Sequence, residues 1–133
     1  MAAEHALRLV IVTPEKTVFD EPVSALRFPL YDGDIGVLPG RLPLIGRLGT
    51  GELKIDRGGD RLSYFIDGGF AQIRKSVVTL LTNQAVPTDQ VTADLAEREL
   101  EAARAKTALT DDDYEAKLRA LKRARRMLAL ARR

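Results

Sequence analysis

Apolar and polar positions alternate with a period of two through much of residues 1–87, and recur at spacings of three and four thereafter. Leu7, Leu9 and Ile11 alternate with Arg8, Val10 and Val12, and Pro14 closes the run. This is the signature of a strand, in which successive side chains point to opposite faces. Short runs at hairpin spacing predict further strands over 23–30, 35–38, 52–57, 61–67, 70–75 and 77–82. Among them stand Asp32-Gly33, Gly58-Gly59 and Gly68-Gly69, dipeptides that accept the positive φ of tight hairpin turns. Many short strands with evenly spaced turns predict an antiparallel β-sandwich or barrel. Pro29 falls inside one run and cannot donate to a ladder, so it predicts an edge or a bulge there.

Beyond Thr88 the pattern predicts two helices. Thr92 precedes Ala93, Asp94, Leu95, Ala96 and Glu97, a cap followed by first-turn acids that suit the helix dipole. The first helix is expected to run to about Lys106 or Ala108. Thr110, with Asp113 three residues on, marks the start of the second. Ala96, Leu100 and Ala103 form one stripe on the first helix; Tyr114, Leu118, Leu121 and Leu128 are expected to form the apolar stripe of the second. Two short amphipathic helices so joined predict an antiparallel hairpin, each member too short to be stable alone.

Composition sharpens the boundary. All ten glycines lie between Gly33 and Gly69, and all six prolines lie at or before Pro87. Alanine supplies 11 of the 46 positions from 88 onward against 6 of the first 87, the bias of helix interiors. The chain therefore divides into a sandwich over 1–87 and a helical hairpin over 88–133. Charge divides too: residues 1–87 carry 10 basic and 10 acidic groups, whereas 111–133 carry 8 and 4, an excess of +4. With 133 residues and no cysteine, one modest core must hold each part by burial alone, and thiolate metal sites, disulfides and cysteine nucleophiles are excluded. Apolar runs such as 9–12 are far below membrane-helix length and no charged-then-apolar leader opens the chain, so a soluble, non-exported protein is expected.

Catalytic chemistry finds little support. His5 is the only imidazole, which excludes a catalytic triad or a histidine metal site. Gly46, Gly49 and Gly51 superficially suggest a phosphate cradle, but the chain runs on into an alternating strand rather than a helix, so they read as turn glycines. Asp67 lacks a second acid or base and reads as part of a hairpin turn. Asp111, Asp112, Asp113 and Glu115 lack the glycine-centred loop of a cation site and read as helix-start acids. No metal and no cofactor are expected. The basic residues Lys117, Arg119, Lys122, Arg123, Arg125, Arg126, Arg132 and Arg133 have two readings: a solvated face, or a surface for an acidic partner. Nucleic acid, anionic lipid and an acidic protein helix all qualify. Tyr114 is the only aromatic residue among them, so base stacking is unsupported.

Two blocks carry a family resemblance. Residues 32–45, Asp-Gly-Asp-Ile-Gly-Val-Leu-Pro-Gly-Arg-Leu-Pro-Leu-Ile, resemble the signature loop of the epsilon subunit of F-type ATP synthases. Residues 65–73, Phe-Ile-Asp-Gly-Gly-Phe-Ala-Gln-Ile, with 77–81 resemble a second block of that family, and 7–14 with Phe19 and Val23 its first strands. The resemblance implies a non-catalytic rotor subunit of the central stalk in a proton-translocating complex. Its sandwich would bind the gamma subunit and the c-subunit ring, coupling ring rotation to the catalytic head. Asp34 and Arg41 fall where the family faces the ring, with Arg41 in place of the usual histidine and Leu42 in place of alanine.

The resemblance also implies a hairpin that can extend along gamma, where basic residues of the second helix meet an acidic segment of a catalytic beta subunit, near alpha, and inhibit ATP hydrolysis. It places the protein peripherally on the cytoplasmic face of a bacterial plasma membrane. Some members bind ATP through an Ile-Asp-x-x-Arg-Ala motif. Here Thr92 replaces its acid and Leu95 its arginine, so ATP binding is expected to be weak or absent. The contrasting expectation is a free-standing basic-helix module for nucleic acid or anionic membrane, which would need no gamma subunit.

Overall fold

A computed structural model of the chain describes residues 7–40 and 43–132, which leaves His5, Arg41, Leu42 and Arg133 outside the described residues. The chain forms two compact units that divide after Pro87. Among its described residues the first holds ten strands: β1 Leu7–Val12, β2 Thr17–Val23, β3 Ala25–Leu30, β4 Gly33–Val37, β5 Leu44–Arg47, β6 Thr50–Arg57, β7 Asp60–Asp67, β8 Phe70–Arg74, β9 Val77–Leu81 and β10 Ala85–Pro87. The first sheet has the order β2-β1-β9-β8-β5 and the second β10-β7-β6-β3-β4. The predicted sandwich is thus observed, with one departure: β1 and β9 pair in parallel, Arg8 opposite Val77 through Val12 opposite Leu81.

Alternation decides which face is buried. Leu7, Leu9 and Ile11 of β1 and Val78 and Leu80 of β9 turn inward to meet Leu26, Phe28, Leu53, Ile55 and Ile66 of the other sheet. Each such side chain contributes about 1.5–3 kcal/mol by leaving water. The run expected as one strand over 23–30 is broken at Ser24, where the chain crosses between sheets. There the Ser24 N–H donates to the Asp56 carbonyl, and its hydroxyl accepts from the Gly58 N–H. Alternation alone does not predict β2, which carries Pro22 and which only the family resemblance at Phe19 and Val23 implies, nor the short β5 and β10, the latter ending at Pro87.

The turn glycines behave in two ways. Gly58 and Gly59, at φ 57° and 99°, form the predicted hairpin turn between β6 and β7. Gly68 and Gly69 do not make a hairpin: β7 lies in the second sheet and β8 in the first, so they turn a corner between sheets. The β3–β4 hairpin turns at Tyr31-Asp32, with Gly33 already paired to Leu30. Pro29 stands in an interior strand rather than at an edge. It is tolerated because β3 pairs with β6 only over 25–27, and from there the Pro29 carbonyl accepts from the Gly49 N–H.

The second unit holds a 3-10 turn over Thr88–Gln90, α1 over Ala93–Ala105 and α2 over Asp111–Ala131. Thr92 and Thr110 cap the two helices by accepting from the N–H groups of Leu95 and Asp113 at 3.2 and 3.1 Å. Ala96, Leu100 and Ala103 are buried on α1 as predicted. On α2 the buried set is Ala120, Ala124 and Met127; Leu121 and Leu128 are half-buried, and Tyr114 and Leu118 are exposed. The seam therefore lies beside the expected leucine stripe. The Arg123–Glu99 and Arg132–Glu97 pairs, at 4.0 and 3.3 Å, run across the two helices, as an antiparallel hairpin requires. Small side chains permit a closer helix approach than leucines would, and dense packing favours it.

Candidate functional site: the outer face of the first sheet and the basic helix

The residues of the first sheet that point away from the core form two rows set by strand register. One runs Arg47, Phe70, Leu81, Val12; the other runs Ile45, Gln72, Thr79, Val10. Ile45 is 77% exposed, Phe70 55% and Leu81 51%, large apolar surface that a solvated sheet ordinarily avoids. A hollow of about 740 Å³ beside them is lined by Val12, Pro14, Arg47, Phe70, Leu81 and Asn83 among others. The outer face of the second sheet differs. It carries Arg27, Lys54, Asp56 and Arg61, with Lys54 and Arg61 paired to Glu52 and Asp56 at 4.0 and 3.5 Å.

The corner at the end of the apolar rows is held by backbone. The Leu48 N–H donates to the Gly69 carbonyl at 2.8 Å, and the Gly68 N–H to the Gly49 carbonyl at 3.1 Å. A Cβ on Gly49 would stand 2.8 Å from the Leu30 carbonyl oxygen, so close approach requires glycine there. Gly46, Gly49 and Gly51 accordingly belong to β5, the corner and β6, and no helix follows them to hold phosphate. Asp67 is likewise part of the corner: its carboxylate accepts from the Thr50 hydroxyl, and its N–H donates to the buried Thr82 hydroxyl. Arg47 stacks over Tyr31 with its guanidinium carbon 4.5 Å from the ring centroid, and the Tyr31 N–H donates to the Arg47 carbonyl. That link ties the β3–β4 hairpin of one sheet to edge strand β5 of the other.

Asp34 lies exposed on β4, one residue from that hairpin turn; Arg41, expected beside it in function, is outside the described residues. The basic residues of α2 divide. Arg123 approaches Glu99 at 4.0 Å and Arg132 approaches Glu97 at 3.3 Å, both across the hairpin. Arg119, Lys122, Arg125 and Arg126 are exposed and Lys117 is half-buried. Arg119, Lys122 and Arg126 are spaced three and four apart and so share one helix face. Asp111, Asp112 and Asp113 occupy the exposed first turn of α2, followed by Glu115. Thr92 is engaged in capping, and Leu95 presents no donor to a phosphate. No described helix is long and apolar enough to cross a membrane.

The exposed face formed by Ile45, Phe70 and Leu81 was missed from the sequence. Phe70 and Leu81 do alternate with buried Ala71 and Leu80, but their pairing opposite one another and the presence of β5 depend on long-range register.

Comparison with known proteins matches residues 6–88 to the ATP synthase Delta/Epsilon chain β-sandwich domain family. An ATP synthase epsilon chain from Rhodopirellula baltica is 39% identical over 127 residues, covering 96% of this chain and 99% of the relative. One from a Cyanothece species is 35% identical, covering 90% of each. Among solved structures, a chain of the Euglena gracilis mitochondrial ATP synthase, solved as OSCP/F1/c-ring, superposes with a TM-score of 0.78 at 28% identity. The match covers 94% of this chain and 81% of that one. A chain of the Tetrahymena thermophila mitochondrial ATP synthase central stalk and c-ring shares the fold, with a TM-score of 0.74 at 14% identity over 94% and 96% of the two chains. With sandwich, capped hairpin and nearly full-length relatives in agreement, the chain belongs to the ATP synthase epsilon chain family.

Proposed function

We propose that this chain is the non-catalytic subunit of the central stalk that couples rotation of the c-subunit ring to the catalytic head of a bacterial proton-translocating ATP synthase. It would sit peripherally on the cytoplasmic side of the plasma membrane. The sandwich docks on the gamma subunit and on the ring, with Asp34 and Arg41 toward the ring. The hairpin regulates. When extended along gamma it sets the basic face of α2, with Lys117, Arg119, Lys122, Arg123, Arg125 and Arg126, against an acidic segment of the beta subunit and inhibits ATP hydrolysis.

The observation that carries this reading is the division of charge on α2. Arg123 and Arg132 approach Glu99 and Glu97 across the hairpin, while Arg119 and Lys122 stand exposed on another face. A helix so divided can close as a hairpin or present cations to an acidic partner, and opening would release the first pair as well. The test is truncation after Pro87 in the assembled complex. Assembly and coupling should persist while ATPase activity rises; unchanged activity would refute the inhibitory role.

A further inference from the structure

We propose that Arg47 and Tyr31 are positioning residues: their stack sets the far half of the β3–β4 hairpin, and Asp34 with it, in the orientation that meets the c-subunit ring. The proposal rests on the stalk reading above and deepens it, giving the aim of the hairpin to a pair of side chains drawn from different sheets.

Three observations carry it. First, the sheet gives the far half of the hairpin little lateral support. β4 is an edge strand that pairs with β3 alone, and β3 pairs with β6 only from Ala25 to Arg27. Asp34 lies opposite Pro29, beyond the end of that ladder. Second, the ties that do reach this half come from residues 47–49. The Tyr31 N–H donates to the Arg47 carbonyl at 2.8 Å, the Gly49 N–H donates to the Pro29 carbonyl at 3.0 Å, and Leu30 bridges to Leu48. Third, a side-chain tie joins the same two segments: the Arg47 guanidinium lies over the Tyr31 ring, 4.5 Å from its centroid. Tyr31 is 68% exposed, so burial does not fix its ring and the stack does. A planar guanidinium on an exposed aromatic face favours the stacked arrangement by about two- to fivefold, the factor that corresponds to the strength of such a pair.

The buried Phe28 and the backbone bonds to Arg47 and Gly49 keep the hairpin folded with or without the stack, so the stack governs orientation rather than folding. An arginine merely solvated at the end of β5 would leave the hairpin indifferent to its replacement.

The experiment uses the full chain, alone and carried by the complete ATP synthase head, with the purified c-subunit ring in detergent. Amide exchange over residues 31–36 of the chain and the dissociation constant of head for ring are measured for the unmodified chain, Tyr31→Ala, Arg47→Ala, the double variant Tyr31→Ala/Arg47→Ala and Tyr31→Phe, with melting curves as fold controls. Either alanine change is expected to speed exchange over 31–36 about two- to fivefold and to weaken ring binding by about the same factor. Melting should stay within a few degrees of the unmodified chain, since both side chains are exposed. The double variant should be no worse than either single change, because each removes the same interaction. Tyr31→Phe keeps the aromatic face and should behave as the unmodified chain. Unchanged exchange in both single variants overturns the proposal, as do effects that multiply in the double variant or a Tyr31→Phe defect as large as that of Tyr31→Ala. Faster exchange with unchanged ring binding also overturns it and, where Asp34→Lys still weakens that binding, leaves the stalk reading standing. A head that binds the ring equally well without this chain refutes the stalk reading itself.

Discussion

Substituting Gly69 by alanine should damage the sandwich far more than an ordinary turn substitution. Gly69 sits at φ +106°, and a Cβ there would fall 1.8 Å from the Leu81 carbonyl oxygen, 2.8 Å from its carbon and 2.9 Å from Thr82 Cα. All three are backbone atoms of the β9 end, so no side chain can rotate away, and relief requires a shift of roughly 1.5 Å or more. Backbone strain costs about 1–3 kcal/mol. Moving the corner also breaks the Leu48 N–H bond to the Gly69 carbonyl, leaving groups beside the core unsatisfied for about 1–3 kcal/mol more. A total of about 2–6 kcal/mol, near 4 at its middle, is a large part of the 5–15 kcal/mol typical of a domain. At about 4–8 °C per kcal/mol, the melting temperature should fall by roughly 15 °C or more. Gly58→Ala is the control, because its φ of +57° lies in the left-handed region but its Cβ meets open space. Strain alone, about 1–2 kcal/mol, should lower its melting temperature by roughly 5–15 °C. Both are read by calorimetry and by urea unfolding followed by circular dichroism. If Gly69→Ala melts as Gly58→Ala does, the clash at the corner is not what makes glycine necessary there.

Other expectations follow from the same geometry. Thr82→Val should cost about 1–2 kcal/mol in urea unfolding, since the buried hydroxyl joins the Asp67 N–H to the Gln84 carbonyl, although that N–H also reaches Gln84 directly. A change under about 0.3 kcal/mol would show that the corner does not depend on it. Ala124→Leu should overpack the helical seam by about 1–3 kcal/mol and speed amide exchange across residues 111–131, leaving exchange in β1 and β9 unchanged. Unaltered protection in α2 would mean that the seam has room. Calorimetric titration of the chain with ATP should give no binding below the millimolar range, because Thr92 is occupied by capping and Leu95 offers no donor. A submillimolar dissociation constant would overturn that.

Local physics explains what could be read without coordinates. Period-two alternation in 7–12, 52–57 and 77–81 reports burial of one sheet face, and that signal survives any choice of strand neighbours. Thr92 and Thr110 could be placed because a cap acts within three residues. The glycine, proline and alanine distribution separates turn-rich sheet from helix by backbone preference alone. Tertiary structure decided the rest. Whether a diglycine closes a hairpin, as Gly58-Gly59 does, or turns between sheets, as Gly68-Gly69 does, depends on which distant strand each flank pairs with. The buried face of α2 went to Ala120, Ala124 and Met127 where α1 buries Ala96, Leu100 and Ala103, so the seam depends on the partner helix as well as on α2. The apolar rows of the first sheet assemble Ile45, Phe70, Leu81 and Val12 from four strands whose register is set by packing. Chain order specifies which side chains exist, but long-range pairing determines which of them share a surface.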